Sequence, residues 1–570
     1  MFHRFAAACS LAAVLAGCAG GAGPTLVPAV TAPAAGAMKA RTTASLTVAF
    51  RIPTSGTPGS IGISASAAPG GKRVAGATVN AMAKAGGCGA VANGWFTCAA
   101  SITAAPGTYF LSAIAYAGRN AGGKSSVLFG GFAAAVQTGT NHVAFALGGT
   151  PSTVSVALVQ PNVFASGTPA TGFQLGGNGK LAVQHFAVAV QDALGNAIVG
   201  PQAPALSLTT ASTSQLSIAA VAGTQGRYYS VMPLAQSRGA LIVTASAGTV
   251  HAKVKLTLQP ILYVINCWNT TVTEYAPWSD APIATITGYD DIGANSAMAV
   301  DSAGNLYLAN HLPGAASTTG ITVFAPGTTT PMRKIANVND PQYLAVDASG
   351  DVFVNENNQD VLEFTPTGGS TPSRVLSTAT SPSGIGSPYG LAVDGSGNLF
   401  VASSGIGIAE YAAGTSTTPV HVLSTGMNQP QWPAFDGQGN LYVANYAGQN
   451  VTAYAPPFTN STPVAHTFGS SATIGQPQAI AVDGNGNVYV VNLGNQNVVE
   501  FSSAGSLVRT ISGLSLSGTN LVATDTMDNA YVPNENGYGS VGIYAPGSAT
   551  SASSSYTKGF SGPMDVAIWP

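Results

Sequence analysis

Between residues 259 and 570 the chain repeats itself, and a repeat limits the possible folds more than any single motif. One copy reads PQYLAVDASGDVFV from Pro341, another PYGLAVDGSGNLFV from Pro388, and a third PQAIAVDGNGNVYVVN from Pro477, with weaker copies around Asp301, Asp436 and Asp525. The aspartates at 301, 347, 394, 436, 483 and 525 are 46, 47, 42, 47 and 42 residues apart. That period is the length of a four-stranded propeller blade.

A second marker is an aromatic residue closing a later strand of each unit: Tyr275, Phe324, Phe364, Tyr411, Tyr454, Phe501 and Tyr544. It has seven copies against six aspartates. The missing first half is found at the far end of the chain, where PMDVAIWP from Pro563 aligns with PQAIAVDG and puts Trp569 in the aspartate position. The strand that should follow is ILYVIN from Ile261. Residues 563–570 are therefore predicted to pair with the blade begun by 261–288, closing a ring that leaves no open sheet edge. The reading is all-β, with a seven-bladed β-propeller over 259–570; six blades is the alternative if one weak copy is something else.

Composition agrees. Charged residues are 7% of the chain against about a quarter in an average globular protein, while Gly numbers 70 and hydrophobic residues reach 46%. Val, Ile, Tyr and Phe recur between Gly, Asn, Ser and Pro, which is the texture of strands and turns rather than of a disordered chain. A net charge of −2 with no Lys/Arg cluster offers nothing to neutralise phosphates, so nucleic acid is not an expected partner.

Residues 1–17 read as an export signal: His3 and Arg4, then an apolar stretch from Phe5 to Leu15. Leu15-Ala16-Gly17-Cys18 resembles a bacterial lipobox, which implies a lipid on Cys18 and a place in the cell envelope, at the outer membrane or cell surface. Residues 18–43 are an Ala/Gly/Pro-rich tether. From residue 44 the pattern alternates: Leu46, Val48, Phe50 and Ile52 share one face, and further strands are expected at 77–82, 95–99, 109–116, 127–135 and 142–147. Strands of this length and spacing predict an immunoglobulin-like β-sandwich over 44–150. A second is predicted over 151–258, from Leu181–Val190, the turn at 192–196, and Val250–Leu258. Cys88 and Cys98 bracket a segment that a hairpin can close as a disulfide, and Cys267 is left over as a buried thiol.

The signature Pro-x-x-(Ile/Leu)-Ala-Val-Asp-x-x-Gly-Asn-(Leu/Val)-(Tyr/Phe)-Val resembles the NHL-type propeller repeat, and more loosely the streptogramin-lyase and gluconolactonase-like propellers. VAVQDALGNAIVG, at 188–200, resembles the opening strands of bacterial Ig-like adhesin repeats. These resemblances imply scaffolds and do not by themselves fix a chemistry. The lyases use a His with metal-holding acidic residues on one face, and this sequence has no residue-by-residue match to that set.

Asp301, Asp347, Asp394, Asp436, Asp483 and Asp525 are read as turn residues, each accepting a backbone N–H two positions on, because one carboxylate per blade cannot gather the oxygens a calcium ion needs. Asn266, Asn310, Asn445, Asn492 and Asn534 are read as a hydrogen bond repeated in each blade. Glu363 with Arg374, Glu410 with His421, and Glu500 with Arg509 are predicted as cross-strand charge pairs worth roughly 0.2–1 kcal/mol each, and Glu274 occupies the same third-strand position. His311, Glu356, Asn534 and Glu535 are the candidates for the channel mouth.

With no convergent catalytic set, the expectation is a non-enzymatic module that binds a protein or glycan and needs no cofactor. A divalent metal enters only under the alternative of a lyase or lactonase. A purely structural envelope protein is the third reading.

Overall fold

The computed structural model describes residues 44–569 apart from short connecting segments, among them 54–59, 81–87, 89–94, 288–296, 311–319 and 378–385. The signal 1–17, the tether with Cys18, and His311 lie outside the described residues. All regular elements among the described residues are strands.

From Ile261 to Trp569 the described strands form seven four-stranded antiparallel sheets, and the unit is a β-propeller of repeated blades. Six of the sheets are continuous in sequence. The remaining one, here blade one, takes Ile261–Asn266, Thr271–Tyr275 and Ala284–Ile286 from its start and Pro563–Trp569 from the end of the chain. Ile261 pairs with Trp569 and Val264 with Val566 in antiparallel register. The first strand of each blade touches the first strand of the next, and the strand Pro563–Trp569 touches both the second and the seventh, so the ring is closed.

The seven aromatic markers all end third strands, from Thr271–Tyr275 to Ser540–Tyr544. All seven are buried, because each packs into the layer between its own sheet and its neighbours. Their spacing is legible in sequence because every blade must fill that layer in the same way.

The aspartate turns are alike to within a few tenths of an ångström. In Asp301 and Asp436, Oδ1 accepts the N–H groups two and four residues on at 2.9 Å, and Oδ2 accepts an Asn Nδ2 at 2.8 Å and a Tyr hydroxyl at 3.1 Å. The fourth turn position has positive φ and is Gly304, Gly350, Gly397, Gly439 and Gly486 in five blades. In the seventh blade it is Asp528, at φ 65°. There the carboxylate accepts Gly484 N–H at 3.1 Å and Asn485 Nδ2 at 2.6 Å from the previous blade, a gain that offsets the unfavourable backbone.

Ahead of the propeller lie two apolar cores. The first is built on Leu46, Val48, Ile61, Ile63, Leu111 and Phe145; the second on Phe173, Phe186, Val188, Leu256 and Leu258. The strand Ser60–Ser66, absent from the sequence reading, buries Ile61, Ile63 and Ala65 on one face. The Sγ atoms of Cys88 and Cys98 are bonded, and the two residues also form a β-bridge. Cys267, in the turn after Asn266, is half-buried.

The two cores share a sheet. Ala197–Val199 pairs in parallel with Phe145–Leu147, joining strands of both regions into one eight-stranded sheet. Because side chains alternate along a strand, Ala197 and Val199 enter the first core while Ile198 enters the second.

Candidate functional site

Two ends of the blades have different chemistry. One carries the aspartate turns; the other carries the hairpins between second and third strands and the loops that enter each blade. Glu356, Asn534 and Glu535 stand at the second end.

There three of the repeated asparagines hold the entering loop through Oδ1, and Asn492 holds it by donating Nδ2 to Thr473 O at 3.4 Å. Asn266 Oδ1 accepts Ser561 N–H at 3.2 Å, Asn445 Oδ1 accepts Asn428 N–H at 3.3 Å, and Asn534 Oδ1 accepts Ser515 N–H at 2.9 Å. In blade three the position is Glu356, and Asn355, one residue earlier, accepts the first-strand N–H groups of Gln342 and Tyr343 at 3.2 and 2.7 Å. Asn534 is thus a latch of its own blade. Glu356 Oε1 accepts Asn339 N–H at 2.6 Å, and the Glu535 N–H donates to Ser515 O at 3.0 Å. The Glu356 carboxylate and the Asn534 amide are thus tied to the loops of their own blades, and Glu535 is tied there through its backbone. Among the described residues no three His, Cys, Asp or Glu side chains gather in a way that could hold a metal ion.

Side chains at or next to first strands converge near the ring axis. Tyr343, Gln431, Trp432, Gln478, Ala479 and Leu521, from four blades, surround a void of about 10 Å³, room for no more than a water molecule. The Tyr343 ring lies 5.5 Å from Trp432, edge to face, and 6.4 Å from Tyr389. Asp565 occupies the corresponding position on the closing strand. It is buried, its Oδ2 accepts Met298 N–H at 3.1 Å, and burial pushes its carboxyl well above the usual carboxylate range. It is the acidic residue in a ring position otherwise held by neutral side chains.

An open cavity of about 390 Å³ lies between blades four and five at the loop end. It is lined by Ser404, Gly405, Ile406, Gly407, Ser424, Met427, Asn428, Gln429 and Pro430, with no titratable side chain among them. The blade-four hairpin forms one wall. Ser403 pairs with Gly407 across three turn residues, whereas in blade five Asn445 pairs with Asn450 across four. Ser403 also stands where other blades have the latching Asn, and its buried Oγ has no hydrogen-bond partner. Sequence reasoning weighed titratable residues and passed over this place. The available signal was the departure of SSGIG from the repeat.

The charge pairs are deeper than solvent-facing hairpin pairs would be. Arg374 Nη2 lies 2.6 Å from Glu363 Oε2 and Arg509 Nε 2.5 Å from Glu500 Oε2, with all four residues buried. Each Arg also reaches the next blade. Nη1 of Arg374 donates to Ala412 O and Ser416 O, and Nη1 of Arg509 to Ala545 O and Ala549 O. In blade one Glu274 has no Arg opposite it; it accepts Gly327 N–H of blade two at 3.1 Å, and burial raises its carboxyl to about 7.

No family model matches the chain, and no curated protein matches it. Solved structures do resemble it. A functionally unknown protein from Desulfotomaculum acetoxidans is 14% identical with a TM-score of 0.43, covering 54% of this chain and 98% of its own. The periplasmic gluconolactonase of Pseudomonas aeruginosa is 15% identical with a TM-score of 0.42, over 54% of this chain and 98% of its own. A virginiamycin B lyase from Staphylococcus aureus is 12% identical with a TM-score of 0.34, over 45% and 84%. Likeness of this extent says nothing of activity.

Proposed function

We propose that this chain is a lipid-anchored envelope protein, held by Cys18, with two Ig-like units that carry a seven-bladed NHL-like propeller. The propeller works as a non-enzymatic module that binds a glycan in the loop-end cavity between blades four and five. The supporting observation is that cavity's lining. Hydroxyls of Ser404 and Ser424 and amides of Asn428 and Gln429 offer uncharged donors and acceptors, and Met427 and Ile406 offer apolar surface, in a space of about 390 Å³. Such a lining suits a neutral, hydroxyl-rich ligand and supplies no general acid or base. The competing lyase or lactonase reading needs unlike residues from different blades converging on one mouth; of its candidates, the Glu356 carboxylate and the Asn534 amide are engaged by the loops of their own blades.

The test is binding of the full mature chain to immobilised envelope polysaccharide fractions, beside metal analysis after dialysis. Saturable binding that falls about tenfold or more in Asn428→Trp, which fills the cavity, is expected. A tightly held stoichiometric metal together with turnover of a lactone would instead establish the enzyme, and absence of saturable binding to any fraction would leave the structural protein.

A further inference from the structure

The chain's net charge of −2 conceals a division between its two halves. Of the 19 Lys and Arg residues, 14 precede residue 259, whereas of the 21 Asp and Glu residues only Asp192 does. The half ahead of the propeller therefore carries a formal charge of +13 and the propeller half −15, and loss of the signal removes only Arg4 from the first. A sign asymmetry of this size points to a partner of opposite charge for one of the halves.

The basic half has almost no means of internal compensation. Its one carboxylate, Asp192, closes a turn by accepting the N–H groups of Leu194 and Asn196, each at 2.9 Å. Among the described residues the ion pairs all lie in the propeller: Arg374 with Glu363, Arg509 with Glu500 and Lys558 with Asp280. The strand Val250–Gln259 shows how cations are presented. Val254, Leu256 and Leu258 enter the second core, so alternation sends His251, Lys253 and Lys255 to the solvent-facing side in one row. Thr244 stands opposite Lys253, and Ile242, 44% exposed, opposite Lys255, so the row is flanked by uncharged side chains. Arg73, on the edge strand Arg73–Asn80, is exposed as well.

We propose that the basic half is a docking surface for an anionic lipid bilayer, and that the division of charge orients the protein with this half on the lipid and the propeller turned away. The inference rests on the reading of Cys18 as the lipid anchor. An Ala/Gly/Pro-rich tether over 18–43 has a root-mean-square span of about 30 Å, which keeps the basic half close to the membrane without fixing how it faces it. The charges supply that orientation. Each Lys near an anionic surface strengthens binding about fivefold, while the acids of the propeller half are repelled from the same surface. Lys253 and Lys255 stand on an open strand face rather than around a cavity, which suits a laterally continuous partner better than a shaped ligand.

The experiment is co-sedimentation of the full mature chain bearing Cys18→Ser, which takes no lipid, with phosphatidylcholine vesicles containing about 30% phosphatidylglycerol or none. Saturable binding to the anionic vesicles alone is expected, and it should weaken about tenfold or more as salt shortens the screening length from about 10 Å at 0.1 M to about 3 Å at 1 M. Lys253→Gln/Lys255→Gln is expected to bind about twentyfold more weakly, whereas Lys334→Gln, which removes an exposed cation of the propeller, should bind as the parent does. Binding indifferent to lipid charge or salt, an undiminished Lys253→Gln/Lys255→Gln variant, or an equal loss in Lys334→Gln would overturn the assignment. Tighter binding to soluble polygalacturonate than to the vesicles, at equal anionic charge, would also overturn it and make an anionic polysaccharide the partner. The anchor is read separately, by mass spectrometry of the exported protein: an unmodified Cys18 would refute the anchor and leave the vesicle result standing.

Discussion

Glu274 shows how one buried side chain can set a pH response. Its ordinary carboxyl value is 4.5, and burial raises it to about 7. Between those values the folded chain keeps a proton that the unfolded chain has released, so stability falls as pH rises from about 4.5 to about 7. Below that window the acid is neutral in both states; above it the buried charge carries its full desolvation cost. The drop is of order 3 kcal/mol. Glu274→Gln keeps an acceptor for the Gly327 N–H and removes this one titration, so its stability is expected to decline over that range by about 3 kcal/mol less than the parent's. Urea unfolding at several pH values decides this, and parallel profiles for the two proteins would count against it.

At the scale of elements, the blades are held by repeated polar staples as well as by apolar layers. Arg509 binds Glu500 within its blade and two carbonyls of the next. Removing one partner leaves a buried, uncompensated charge, which costs about 3–5 kcal/mol, whereas removing both costs far less. Arg509→Met should therefore destabilise the chain by about that amount, and Glu500→Leu/Arg509→Met should recover most of it. Chemical denaturation of the three proteins tests this, and equal loss in the single and double variants would contradict it. The pairing itself was readable from hairpin arithmetic in the sequence. Its burial and its reach into the neighbouring blade were not, because both depend on how sheets pack face to face.

For the whole molecule, the decisive contact is where the ring closes. Trp569 ends the closing strand, is fully buried, and meets Phe164 edge to face at 5.8 Å. A Cβ on Gly177 would stand 2.5 Å from its ring and one on Gly304 2.3 Å, and both glycines have positive φ. One indole thus joins the closing strand, the aspartate turn of blade two and the second sandwich-like region in a single apolar cluster. Trp569→Ala is expected to cost about 3–5 kcal/mol and to loosen both closure and junction. Hydrogen exchange should then rise together in Ile261–Asn266 and Gly172–Gly176; exchange rising in the first alone would separate the two roles.

The strand content, the blade period, the seven aromatic layers and the split blade were determined by the sequence alone. Each is a local demand repeated along the chain, so the pattern reports it several times over. Much of the pairing partner of Pro563–Trp569 was legible for the same reason, since an incomplete repeat at one end predicts its complement at the other. Only the tertiary structure decided that Ala197–Val199 joins two cores, that Trp569 seals a junction, and that the candidate cavity lies where blade four departs from the rule. Those outcomes depend on which surfaces meet and which side chains are too small to fill the space between them, and no period along the chain records a gap.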